Sequence, residues 1–599
     1  PMLSKLKFVK VNCSFSGGDI LKIAIIDTGI DDKALYPNIK MQFIVDDNNT
    51  VIRSRAVDTN GHGTAVTNII HRKNPTADLI IFQICEDEIS TNLEKLISVL
   101  EFIMVECTVD VVNMSCGVTY IDNYKKLSQI CDCLFLKGIM LVSAFDNDGA
   151  ISYPASLSSV IGVDVVNDYS IHEIQVQNNS IVNVLVPQKY YRTTWIHNKK
   201  VILTGNSFAC AEITGMLSNF IDKGISECEI DFCKLLKGLA VTKSNQLHSY
   251  SPNFKINKAI ILPYNKEVDA IIRYNDCLTF ELLGVFDFRL KGHVGKVINN
   301  IEIKPFEEIG WDSDFDTVVL SHIKEFESIT GENIKKDLFH KAVTYGKNVY
   351  SFDPTDTGNS TSIFYPKINR YDLPEYAYSK LRKISLPCVG VFGTSSKQGK
   401  FSLQMELIRS LKKLGYKVGS IMTEPSGYLF GADFVFPMGY NSTVDLNLYE
   451  YITCLNDQMW QIEKKEKDIV IVGCQSGTIH YDTSNLNQFA ISQYGFLLGT
   501  NPDVFILCIN AFDESEYIGR TIRYLNSMGQ GKVIALAILP IVREQTLSGL
   551  PFKSRRMSQS EINRLKERIR KQFRLPIYTI GTTDIVELVG QIVNFFGSE

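Results

Sequence analysis

Nowhere in the 599 residues does an uninterrupted apolar stretch approach the roughly 18 residues that a membrane-spanning helix needs. An excess of positive charge is missing too. The 62 Lys and Arg residues face 66 Asp and Glu, a net charge of −4, so nothing points to nucleic acid or an anionic membrane as a partner. The 14 cysteines form no C-x-x-C pair and no metal-like Cys/His spacing, and Cys131 and Cys133 stand a single residue apart. No metal site is therefore expected. Pro1 to Phe15 carries lysines but neither a continuous apolar core nor a small-residue cleavage site, which argues against a secretory signal. Reduced, mostly buried thiols in a cytoplasmic protein are the expectation. Internal repeats and low-complexity tracts are absent as well.

What remains is an ordinary globular composition, 45% hydrophobic and 21% charged, in a chain too long for one core. Short apolar runs alternate with helix-like segments. Leu21–Ile26, Leu79–Cys85, Val109–Met114, Met140–Ala144 and Val160–Val166 read as strands, and Leu93–Val105, after the capping run Ser90-Thr91-Asn92, as a helix. Such alternation predicts α/β architecture with a parallel sheet covered on both faces. The polar stretch Asn245–Asn257 marks a boundary. Beyond it Ala259–Leu262, Leu282–Phe286, Asp316–Leu320 and Asn348–Phe352 are strand candidates, and the run from Asp353 to Ser362 is a loop. A third α/β unit starts near Leu386. The expected domains are 1–245, 246–384 and 385–599.

Three strings in the first part carry chemistry: I-I-D-T-G at Asp27, N-G-H-G-T at His62 and G-N-S-F-A at Ser207. They offer an acid, a base and a nucleophile. An unassisted serine is a poor nucleophile at neutral pH; a histidine must take its proton and a carboxylate must orient the imidazole. A fourth group has to stabilise the oxyanion, a term worth about 3–4 kcal/mol. Asn147, in A-F-D-N-D-G just after a strand, is the candidate. Ser207 also opens a small-residue segment expected to be a helix, whose N-terminal dipole favours the nucleophile.

Together these residues resemble a subtilase, the subtilisin-like serine peptidase family, over about residues 20–220. V-N-M-S-C-G at 112–117 is similar to the family's substrate-backbone strand. The resemblance implies that an extended peptide pairs with Ser115, Cys116 and Gly117. The peptidase is expected to need no cofactor, and nothing in the sequence indicates a calcium site. Asn206, Phe208, Ala211 and Glu212 replace the family's usual Thr, Met and Pro-His around the nucleophile. No inhibitory propeptide is visible, so narrow specificity is expected to limit proteolysis. Asp146 and Asp148 flank Asn147, and Glu86, Asp87 and Glu88 end a strand bordering the cleft. They form either a pocket for a cationic residue before the cut or a solvated acidic rim.

Residues 389–402, V-G-V-F-G-T-S-S-K-Q-G-K-F-S, read as strand, glycine-rich turn, lysine and helix. Gly393, Thr394, Ser395, Gly399, Lys400 and Ser402 are the candidate nucleotide-binding residues, the turn cradling phosphates and Lys400 neutralising them. The long G-T-x-x-x-x-G-K form resembles dethiobiotin synthetase and its relatives. The resemblance extends over most of 258–599 to a two-domain P-loop family known only as a domain of unknown function. It rests also on T-E-P-S-G-Y (423–428), A-D-F-V (432–435), I-V-I-V-G-C-Q-S-G-T-I-H (469–480) and N-P-D-V-F-I-L-C (501–508). It implies a Rossmann-like middle domain and a P-loop NTPase-like domain that takes ATP or another nucleotide with Mg2+. The middle segment lacks G-x-G-x-x-G, so a dinucleotide is not supported. Phe401 replaces the magnesium-binding hydroxyl of ordinary P-loops, and Gly473 stands where the relatives carry an acidic residue. His480 could serve the site or be structural.

The expected function is an intracellular serine endopeptidase that cuts a specific peptide or precursor, in maturation of a ribosomally made peptide, with an attached nucleotide-binding module. An ATP-dependent ligase or kinase acting on a peptide or amino-acid carboxylate, a nucleotide-gated regulatory protease, peptide transfer in place of hydrolysis, and an inactive subtilase scaffold are the alternatives.

Overall fold

The computed structural model describes residues 20–31, 36–85, 93–120, 123–166, 173–177, 180–223, 250–288, 292–324, 326–327, 334–355, 361–370, 373, 380–439, 442–481, 489–544 and 553–597. The chain forms two compact units. One comprises residues 1–246 with 374–384; the other comprises 247–373 with 385–599.

The first unit is built on a nine-stranded sheet. Its order is Val51–Arg53, Ile39–Val45, Asp78–Gln83, Lys22–Asp27, Val111–Met114, Met140–Ala144, Ile161–Val166, Val184–Pro187 and Gln175–Val176. Pairing is parallel except for the outermost strand on each side, which runs antiparallel to its neighbour. All five strands expected in this region are present. The central strand reads K-I-A-I-I-D because both faces are covered: Ile23, Ala24, Ile25 and Ile26 are fully buried. Each such isoleucine contributes about 1.5–3 kcal/mol of burial free energy. Helices His62–Lys73 and Asn206–Lys223 pack together through small residues; a Cβ on Gly215 would meet the Lys73 Cβ at 2.6 Å.

In the second unit two seven-stranded sheets lie side by side in the chain. The first runs Val297–Ile298, Ile301–Pro305, Glu281–Asp287, Lys258–Leu262, Thr317–Leu320, Asn348–Ser351 and Ile363–Phe364. Leaving aside the short antiparallel edge strand Val297–Ile298, its six parallel strands follow the doubly wound order 3-2-1-4-5-6. Strand Ile301–Pro305 was not among the sequence candidates, because its alternating I-E-I-K-P has only two apolar inward positions. The second sheet, wholly parallel, runs Phe434–Val435, Val418–Met422, Ile469–Gly473, Cys388–Gly393, Val504–Ile509, Lys532–Ile538 and Ile577–Thr579.

Two differences from the expected domain plan stand out. One buried cluster runs through both sheets of the second unit, joining Ile261, Val268 and Tyr350 to Val389, Leu403 and Leu429. The middle and C-terminal domains therefore share a core. Residues 374–384, expected to close the middle domain, group instead with the first unit. There Lys380 pairs with Asp164 at 3.0 Å, and the Leu381 carbonyl accepts the Ile151 N–H at 3.0 Å. Pro1 to Phe15, Ser90 to Asn92 and residues 245–249 of the expected boundary lie outside the described residues.

Candidate active site

Three neighbouring strands of the first unit end in candidate residues. Asp27 closes Lys22–Asp27, Ser115 follows Val111–Met114, and Asn147 lies three residues past Met140–Ala144. The carboxyl edge of a parallel sheet is where such folds gather chemistry. His62 is the first residue of its helix, and its Nδ1 lies 2.7 Å from Asp27 Oδ1 with both side chains buried. The Thr28 N–H donates to the same carboxylate oxygen at 2.8 Å.

Asp58 holds this pair in register. Buried, it accepts from the Thr28 hydroxyl at 2.9 Å, from the N–H groups of Asn60, Gly61 and Thr64 at 3.0, 2.7 and 2.9 Å, and from the Thr64 hydroxyl at 2.6 Å. The helix cap position is Gly61, at φ 110°, which has no side chain to donate; Asp58 satisfies the free N–H groups in its place. A Cβ at Gly61 would strike the Trp195 ring at 2.2 Å, so glycine is required there twice over.

Ser207 is the second residue of its helix and is 8% exposed. Its Oγ donates to the Ser115 carbonyl at 3.0 Å, and the Ser115 hydroxyl returns a bond to the Ser207 carbonyl at 3.3 Å. The serine hydroxyl is thus parked on the neighbouring strand end. Phe208 packs its ring 5.3 Å from that of His62. Burial pulls the His62 pKa down, but the charge and hydrogen bond of Asp27, with Asp58 adding, leave it above the ordinary imidazole value. Asn147 is exposed and its Oδ1 accepts the N–H of Asn206, the residue before Ser207, at 3.0 Å.

Cys116 is buried and Gly117 exposed, and Val118 exchanges hydrogen bonds with Tyr153 at 2.9 and 2.8 Å. The Asp146 carboxylate turns back to accept from the N–H groups of Asp148 and Ala150 at 3.1 and 3.4 Å, so it orders its own loop, while Asp148 is exposed. Glu86, Asp87 and Glu88 lie outside the described residues.

In the second unit the glycine-rich turn follows strand Cys388–Gly393 and ends at Gly399, the cap of helix Lys400–Lys413. Lys400 curls back over the turn, donating to the Ser395 carbonyl at 2.7 Å. A Cβ on Gly393 would approach the Lys400 Nζ to 3.1 Å. The turn is braced from outside: Thr394 bonds Asp513, Asn510 donates to the Ser395 hydroxyl at 2.8 Å, and Tyr517 donates to the Thr394 carbonyl at 2.8 Å. Phe401 packs on Phe430 and Tyr274, with ring centroids 5.6 and 6.4 Å away. Ser402 is half-buried and its carbonyl accepts from Tyr274 at 3.4 Å. Gly473 is glycine because Gln404 occupies the space; a Cβ would lie 2.3 Å from Gln404 Oε1.

Residues 18–224 match the model of the subtilase family, and residues 375–589 match that of a domain of unknown function, DUF1611_C, a P-loop domain. The first region is a subtilase domain. The chain is 26% identical over 237 residues to subtilisin DY of Bacillus licheniformis, a match that covers 36% of this chain and 82% of that protein. It is likewise 26% identical over 212 residues to a thermostable alkaline protease of Halalkalibacterium halodurans, covering 33% of this chain and 56% of the relative. Among solved structures, an S41 psychrophilic protease aligns with 36% of this chain and 81% of its own length, at 18% identity and a TM-score of 0.30.

Within the subtilase domain the hydrogen bonds join His62 to Asp27, Ser207 to Ser115, and Asn147 to the main chain of Asn206. Sequence reasoning missed Asp58, although its place in D-T-N-G-H-G-T, four residues before the histidine, was a readable cap signal. Of the atypical residues, Glu212 accepts from Tyr191 at 3.0 Å and pairs with Lys73 at 2.7 Å and with Lys189.

Near the phosphate loop the sequence also left two carboxylates unnoticed. Burial, then the neighbouring Glu267 charge, push Glu424 up to about 7 against the pull of Lys400 and Lys266. Glu267 accepts from His322 Nε2 at 3.2 Å, while His322 Nδ1 lies 2.8 Å from Asp353. These groups come from the carboxyl ends of strands Lys258–Leu262, Thr317–Leu320 and Asn348–Ser351, at the switch point of the doubly wound sheet. His480 stacks on Phe489 at 4.9 Å.

Proposed function

We propose that the subtilase domain is an endopeptidase in which Ser207 attacks the peptide carbonyl, His62 takes its proton and Asp27 holds the imidazole in the productive tautomer. The Asn147 amide receives the oxyanion, and the substrate backbone runs along Ser115 to Gly117. The single observation that carries this reading is the buried 2.7 Å contact of His62 with Asp27. The proton path requires the Ser207 hydroxyl to leave the Ser115 carbonyl and turn to His62 as substrate enters. We assign the substrate to a specific peptide or precursor, in maturation of a ribosomally made peptide, an assignment supported by the pairing of a subtilase domain with a P-loop domain in one chain.

The P-loop domain is proposed to bind the phosphates of ATP or another nucleotide at Gly393 to Lys400. The turn fits that role: a close approach at Gly393 that leaves no room for a Cβ, an αL cap at Gly399 and a lysine folded over the turn. A magnesium ion does not find its usual hydroxyl, because Phe401 faces Phe430 and Tyr274.

Fluorophosphonate labelling read by intact mass tests the first proposal. One adduct is expected on the full chain and none on Ser207→Ala; a wild-type chain that stays unlabelled between about pH 6 and 9 removes it. Isothermal titration with ATP tests the second. Binding is expected for the wild type and loss of at least about tenfold for Lys400→Ala; equal affinity in both refutes it.

A further inference from the structure

The peptidase site is braced by a residue outside the subtilase match. Lys380 follows the middle domain and falls within the span matched by the P-loop family, 375–589. It is nevertheless buried in the first unit, 8% exposed, with its Nζ 3.0 Å from Asp164 Oδ2 and 5.6 Å from the centre of the Phe145 ring. The other oxygen of Asp164 accepts the Asn206 side-chain amide at 2.9 Å.

Asn206 then distributes that restraint. Its Nδ2 also donates to the carbonyls of Phe145 and Asp146 at 3.0 and 3.1 Å, its Oδ1 accepts the Val165 N–H at 2.8 Å, and its main-chain N–H donates to Asn147 Oδ1 at 3.0 Å. The next residue is Ser207. The segment after Lys380 grips the same loop: the Leu381 carbonyl accepts the Ile151 N–H at 3.0 Å, and Arg382 donates to the Tyr153 hydroxyl at 2.8 Å. From Lys380 to Asn147 there is an unbroken path of three hydrogen-bonded or ion-paired contacts.

We propose that Lys380 is a positioning residue of the peptidase site, acting through Asp164 and Asn206 to fix the Asn147 loop and the start of the nucleophile helix. The proposal rests on the endopeptidase reading above for its catalytic consequence. A buried ion pair is a costly way to hold a loop unless both charges are present and bonded. Burial raises the Asp164 pKa, and the Lys380 charge and hydrogen bond pull it back toward the carboxylate form that Asn206 needs. The peptidase domain is in this sense completed by the chain that leads into strand Cys388–Gly393 and the phosphate loop.

The test uses the full-length chain with two readouts: the rate of fluorophosphonate labelling at Ser207, and hydrogen exchange of the Ile151 and Asn206 amides. Lys380→Met leaves Asp164 buried and unpaired. It is expected to slow labelling by at least about tenfold and to speed exchange at both amides by a similar factor. Lys380→Arg is expected to retain most of the labelling rate. Asp164→Asn combined with Lys380→Met removes both charges while keeping an acceptor for Asn206, and is expected to recover the rate. Wild-type labelling and exchange in Lys380→Met overturn the proposal. So does a double variant that folds, by its melting temperature, but labels no faster than Lys380→Met. A wild-type chain that fails to label while its exchange still responds to Lys380→Met refutes the peptidase reading and leaves the brace standing.

Discussion

The Asp58 carboxylate accepts the Thr28 hydroxyl at 2.9 Å, and the same hydroxyl accepts the Gly63 N–H at 2.8 Å. Through this one side chain the residue after Asp27 is fastened to both sides of His62. The 2.7 Å contact between His62 and Asp27 therefore does not depend on their own attraction alone.

Replacing Asp58 by Ala strips acceptors from three N–H groups and two hydroxyls inside the core. The first unit is expected to lose about 3 kcal/mol of stability, and Asp58→Asn less. Urea unfolding followed by tryptophan fluorescence checks this, and Ser207 labelling should fall in parallel with the loosened His62.

His62 can accept a proton only when neutral. Its pKa is raised in the folded chain, so peptidase rate should climb with pH through a midpoint above 6.5. Asp27→Asn removes the charge that raises it and leaves the burial that lowers it. The midpoint should then drop below 6.5 and the maximal rate by about 10⁴-fold. A pH series of labelling rates on both chains decides the point; an unmoved midpoint would show that Asp27 does not tune the base.

Glu424 titrates at about 7 beside Lys400. Below that pH it is neutral; above it, it adds a negative charge within reach of the Lys400 ammonium. Affinity for ATP should weaken by roughly tenfold as pH rises through 7, more than for Glu424→Gln under the same conditions. Calorimetric titrations of the two chains across that range give the comparison directly.

His322 is pulled down by burial but raised further by Asp353 and Glu267, to about 10. A histidine whose folded pKa exceeds its unfolded value stabilises fully below about 6.5 and loses that contribution as pH rises toward 10. His322→Gln should accordingly destabilise the second unit by on the order of 3 kcal/mol near pH 6 and by much less near pH 10. Thermal melts at the two pH values measure it.

The local parts of this protein were written in short stretches of chain. D-T-G, H-G-T and the serine at the head of a small-residue helix announce themselves because each group needs a particular backbone turn and close approach, and nearby residues alone supply those. The same holds for the strand, turn and lysine at Gly393 to Lys400, and for the apolar runs that became strands Lys22–Asp27 and Met140–Ala144. Tertiary structure decided the rest. Asp58 became a hub, Asn206 a junction, and Lys380 a member of a unit that the linear domain plan assigned elsewhere. Glu267 and Glu424, distant in sequence, came near enough for the charge of the first to raise the pKa of the second. Burial and sheet order bring such partners within a few ångströms, and no periodicity in the chain encodes which two segments will meet.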